Sequence, residues 1–97
     1  MSEAAGKLRE AKALIEPRGA WMQGDFEVVR DNGTRSYCMA GALLEVCNGK
    51  IPDTVRGPLR QALGGRSIYS FNDAEWRKKK DVLSAFDKAI ELAETTP

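Results

Sequence analysis

A small α+β fold is what this 97-residue sequence predicts, and three observations carry the prediction. Amphipathic helical stripes lie near both ends, Asp31-Asn32-Gly33 supplies a hairpin turn, and Cys38 to Cys47 contains a single charge, Glu45. The expected architecture is a three-stranded antiparallel sheet, made of the hairpin and a short third strand, packed by N-terminal, buried central and C-terminal helices. No composition shift or Pro/Ser-rich tract divides the chain, so residues 1–97 read as one domain.

From Ser2 to Ile15, Ala4, Leu8, Ala11 and Ile15 recur at helical spacing with Ala5 and Leu14 beside them, and charges fill the other face. Ser2 is the expected N-cap, and Pro17 with Gly19 marks the stop. Trp21 to Val29 and Thr34 to Tyr37 flank the turn as strands; the register stays open, with Phe26 and Val28 the favoured inward pair. Ser36 is positioned to cap the apolar central helix, and Asn48-Gly49 ends it because both residues tolerate positive φ. Gly41 and Ala42 leave room there for a close neighbour.

A weaker helix is expected over Pro52 to Leu63, with Val55, Leu59, Ala62 and Leu63 inward and an interruption at Gly57-Pro58. Gly64-Gly65 closes it. Ser67 to Phe71 alternates enough to read as the third strand, and Asn72-Asp73-Ala74-Glu75 as the start of the last helix. In that helix Val82, Phe86, Ala89, Ile90 and Ala93 form the inward stripe, while Lys79, Asp87, Lys88, Glu91 and Glu94 face solvent.

Composition narrows function mainly by exclusion. Fifteen basic and fourteen acidic residues give a net charge of +1, too little to attract nucleic acid or an anionic membrane through the whole-protein field. No apolar run approaches a membrane span or a signal peptide, and the two cysteines fit a reducing, cytoplasmic setting. Cys38 and Cys47, placed on one helix, lie about 13 Å apart, too far for a disulfide.

Histidine is absent, which removes the commonest general base and metal ligand; no cysteine pair has zinc-site spacing, and no glycine-rich phosphate loop is present. Catalytic, metal and cofactor sites are therefore expected to be absent. A thiol at a helix start, Cys38, has the position of a nucleophile, but it lacks a base, and a core role is the reading preferred for it.

The sequence leaves one candidate surface. Trp76-Arg77-Lys78-Lys79-Lys80 combines an aromatic anchor with the chain's only charge run, and with Arg56, Arg60 and Arg66 it is expected to form a basic surface. Read as an interface, Trp76, Arg77, Lys78, Lys79 and Lys80 dock a protein. Read as a basic surface, they meet nucleic-acid phosphates with steep salt dependence. A solvated helix start is the plain alternative.

The segments Tyr37-Cys38-Met39-Ala40-Gly41-Ala42-Leu43, Ile68-Tyr69-Ser70-Phe71-Asn72-Asp73, Asp81-Val82-Leu83 and Ala89-Ile90 together resemble an uncharacterised family of short proteins encoded by actinobacteria and their phages. Trp21, Cys38, Gly41, Ala42, Phe71, Asn72 and Asp73 match its positions. The chain departs from that pattern at Phe71, where the family tends to carry tryptophan, and at Lys78, where it tends to carry a capping threonine. The resemblance implies a fold and a bacterial or phage origin. With the missing catalytic sets, it leads to the expectation of a non-enzymatic accessory protein that binds a bacterial host protein, with nucleic-acid binding through Arg77 to Lys80 as the alternative.

Overall fold

In the computed structural model, which describes residues 2–95, helix α1 (Glu3–Ile15) begins where the sequence places it. The Ser2 hydroxyl accepts the Ala5 N–H at 3.2 Å, and Ala5, Leu8, Ala11 and Ile15 are buried. Strands β1 (Glu27–Val29) and β2 (Arg35–Tyr37) form the antiparallel hairpin, pairing Glu27 with Tyr37, Val28 with Ser36 and Val29 with Arg35. The remaining helices are α2 (Met39–Val46), α3 (Asp53–Ala62), α4 (Ile68–Asp73) and α5 (Lys79–Thr95).

The α+β class holds, but the sheet has two strands rather than three. Ser67 to Phe71 is not a strand: Ser67 caps α4, its hydroxyl accepting the Ser70 N–H at 3.0 Å. The outer edge of β2 is also taken, because Tyr37 donates its N–H to the Ala20 carbonyl at 2.7 Å and its carbonyl accepts the Met22 N–H at 3.0 Å. The segment around Trp21 thus runs parallel to β2 as an isolated bridge.

Phe26 and Val28 do not face a core. β1 is the outermost strand and is exposed throughout, whereas Ser36 and Tyr37 of β2 are buried against the helices. Helix α2 is capped by Cys38 instead of Ser36, whose hydroxyl donates to the Gly19 carbonyl. Its end follows expectation, with Asn48 and Gly49 both at positive φ and the Gly49 N–H returning to the Leu44 carbonyl at 2.8 Å. Pro58 lies inside a continuous α3, where Gly57 ahead of it removes the Cβ that would clash with the ring.

The last helix starts at Lys79, not at Asn72. Asp81 reaches back to the Lys78 N–H at 3.0 Å, which is one half of a capping box whose other half a lysine side chain cannot supply. Helix α5 packs along α1 and α3, and α1 also packs on α2, so Leu8, Ile15, Leu43, Leu59, Val82 and Phe86 meet in one apolar core. Lys12 with Asp87 and Arg9 with Glu94 tie α1 to α5 at the rim. No helix among the described residues is long and apolar enough to cross a membrane.

Candidate functional site

The structure disperses the basic run. Trp76, in the turn between α4 and α5, is 72% exposed. Arg77 folds back, its guanidinium 3.6 Å from the centre of the Phe71 ring and its Nε donating to the Phe71 carbonyl at 2.8 Å. Lys78 occupies the N-cap position of α5. Lys79 points away from its own helix, donating to the Glu16 and Pro17 carbonyls at 2.6 Å each. A lysine at a helix N-terminus is electrostatically misplaced, and this one instead places its charge at the C-terminal end of α1, where the dipole favours it. Trp76, Lys78 and Lys80 are exposed, while Arg77 and Lys79 are held within the fold. Arg56, Arg60 and Arg66 are exposed on α3 and the turn after it.

Sequence reasoning missed the residue that organises this end of the molecule. Asn72, expected at the start of the last helix, is 1% exposed at the end of α4. Its Oδ1 accepts the Trp21 indole N–H at 2.7 Å and the Met39 N–H at 3.0 Å; its Nδ2 donates to the Met22 carbonyl at 3.1 Å and to Asp73 Oδ1 at 2.8 Å. All four hydrogen-bonding positions of the amide are filled. Gln23 adds bonds to the Asn72 and Ala74 carbonyls at 2.9 Å each, and the Gly24 N–H donates to Asp73 Oδ1 at 3.1 Å. The segment from Trp21 to Gly24 is thereby fastened to α4. The available signal was the helical spacing of Ile68, Phe71 and Asn72, which hides because asparagine does not register as an inward residue.

The chain then crosses the start of α2. A Cβ on Gly41 would stand 1.9 Å from the Phe26 carbonyl oxygen, so glycine is what permits the approach, and that carbonyl accepts the Cys38 N–H at 3.2 Å. With its backbone held there, Phe26 turns its ring outward to meet Tyr69 edge-on, at 5.8 Å between centroids. Phe26 is 46% and Tyr69 53% exposed. Between them opens a cleft of about 140 Å³ lined also by Cys38, Ile68 and Asp73.

Cys38 sits at the floor of that cleft with its Sγ accepting the Gly41 N–H at 3.2 Å. Burial pushes the thiol above its usual value; the Gly41 and Ala40 amides pull it down, and the Asp73 carboxylate raises it again. The net direction favours the protonated thiol, the weaker nucleophile. Cys47 is likewise raised by burial, and both cysteines are free. No group of three or more His, Cys, Asp or Glu among the described residues is placed to hold a metal ion. The cleft combines the apolar surfaces of Phe26, Tyr69 and Ile68 with the Cys38 thiol and the Asp73 carboxylate.

No curated protein and no solved structure matches the chain. A family model does match it, over residues 1–92, which includes the Asn72 junction and the cleft. The chain belongs to that family, DUF6197, a family of unknown function.

Proposed function

We propose that this protein is a non-enzymatic binding domain that docks a bacterial protein through the aromatic end of the molecule. One observation carries the reading: among the described residues the exposed large apolar side chains are Phe26, Val28, Val29, Tyr69 and Trp76, all on the hairpin, α4 or the turn after it, and none on α1, α3 or α5. Aromatic residues of this kind are enriched among interface hot spots, and a backbone already fastened by Asn72 and Gly41 lowers the ordering cost of binding. The resemblance to actinobacterial and phage-encoded proteins supports a bacterial partner and a phage-borne accessory role. Nucleic-acid binding through Arg77 to Lys80 draws less support, because Arg77 and Lys79 are engaged with backbone carbonyls.

Immobilised protein passed over actinobacterial lysate is expected to retain one protein. Phe26→Ala with Tyr69→Ala, and separately Trp76→Ala, are expected to weaken purified partner binding by about tenfold or more in calorimetry while circular dichroism stays native. Retention of nothing, or affinity unchanged by both variants, would sink the reading.

A further inference from the structure

A second concave surface lies on the hairpin's side toward α1. A groove of about 560 Å³ separates the end of α1 from the hairpin, floored by Leu14, Pro17 and Tyr37 and walled by Arg18, Arg30 and Arg35. No aspartate or glutamate lines it. In a chain whose net charge is only +1, this is a local concentration of positive charge. Its cations are differently engaged. Arg35 pairs with Glu27 at 3.2 Å and Glu45 at 3.5 Å. The Arg30 guanidinium donates to the Gly19 carbonyl at 3.3 Å, and among the described residues neither Arg18 nor Arg30 forms an ion pair. Lys79, against the Pro17 carbonyl, adds a further cation at the rim. The C-terminal carbonyls of α1 favour positive charge here, so Arg18 and Arg30 are tolerated without the acidic partners that Arg35 has.

We propose that this groove receives an acidic, extended peptide segment, whose carboxylates pair with Arg18 and Arg30 while aliphatic side chains rest on Leu14 and Pro17. The inference rests on the reading of this domain as a protein binder and adds the charge of what is bound. Guanidinium groups match carboxylates in paired, directional hydrogen bonds, which gives a groove of this kind selectivity for Glu and Asp over uncharged isosteres. A nucleic-acid strand fits less well. Strand-binding grooves offer exposed aromatic faces for the bases, whereas this floor is aliphatic and its one aromatic, Tyr37, is 5% exposed.

The test uses the whole purified chain and three fluorescein-labelled probes read by anisotropy: a short peptide of alternating glutamate and leucine, the same peptide with glutamine for glutamate, and an oligothymidine of equal length. The glutamate peptide is expected to bind about tenfold or more tightly than the glutamine peptide, and Arg18→Ala with Arg30→Ala is expected to remove that preference. Both residues are exposed, so the variant is expected to fold, which circular dichroism checks; Phe26→Ala with Tyr69→Ala is expected to bind the acidic peptide unchanged. Equal binding of the two peptides, or an unchanged preference in the arginine variant, would overturn the proposal. Tighter binding of oligothymidine, lost in the same variant, would overturn it in favour of a phosphate site. Because no cellular partner enters this assay, its failure leaves the aromatic surface to be judged by its own experiment.

Discussion

Along α1, α3 and α5 every buried side chain is apolar, whereas the junction of hairpin, α2 and α4 turns on a single buried amide. The helical half is held by area removed from water, a force without direction that tolerates some exchange of one aliphatic shape for another. At the junction, Asn72 satisfies donors and acceptors on two separate stretches of chain, and Gly41 admits a carbonyl where any side chain would collide. The directed bonds of the junction hold the backbone that presents Phe26, Tyr69 and Trp76.

The largest effect is expected in the helical half. Phe86→Ala removes a fully buried ring and is expected to lower stability by about 3–5 kcal/mol, read as a lower urea midpoint at unchanged slope. Asn72→Ala is expected to cost about 3 kcal/mol, because the Met39 N–H and the Met22 carbonyl lose their partner along with the Trp21 indole. A cost below about 1 kcal/mol would mean that water replaces the amide, and the contrast between the halves would dissolve.

Two glycines sharpen the comparison further. Gly41→Ala is expected to destabilise by about 1–3 kcal/mol through its collision with Phe26. Gly6→Ala, within α1 and with nothing within 4 Å of the added Cβ, is expected to stabilise by about 0.5–1 kcal/mol. Thermal unfolding of the pair reads both signs at once; a common sign would show that the crossing at Phe26 yields easily.

The smallest effect concerns pH and falls on the junction side. Cys38, Cys47 and Tyr37 all titrate above their usual values, each chiefly because burial disfavours the charged form. A raised value means that the folded state keeps its protons longer than the unfolded chain. Their contribution is therefore complete below the usual thiol value of 9.0 and is lost as pH rises through the higher folded values. The melting temperature is expected to fall by a few degrees from about pH 8 to about pH 10, and a flat profile would show that these groups are solvated.

Much of the helical half is legible in the sequence because a period is a local signal. Leu8, Ala11 and Ile15, or Val82, Phe86 and Ala89, announce their face without knowledge of the neighbour, and Asn48-Gly49 announces a helix end. The junction is not legible that way. Ser67 to Phe71 is too short for a two-residue alternation to be told from one turn of helix, and the deciding residue, Asn72, carries its burial in an amide. That β1 stays exposed depends on how the chain crosses α2 at Gly41, which the strand itself does not encode. Of the candidate site, Trp76 was legible as an exposed aromatic; Phe26 and Tyr69 were not, and Arg77 and Lys79 looked free only because their carbonyl partners lie far away or outside any motif.

The amide of Asn72 also bears on the order in which the chain assembles. Its bonds to Trp21, Met22 and Met39 span 51, 50 and 33 residues, so the loops they close are long and their entropy must be met by other contacts first. The knot at the aromatic end accordingly ties late, after the apolar helices have gathered. Removing it is expected to quicken unfolding while leaving the refolding rate nearly untouched, so Asn72 governs how long the binding frame lasts more than how fast it is built.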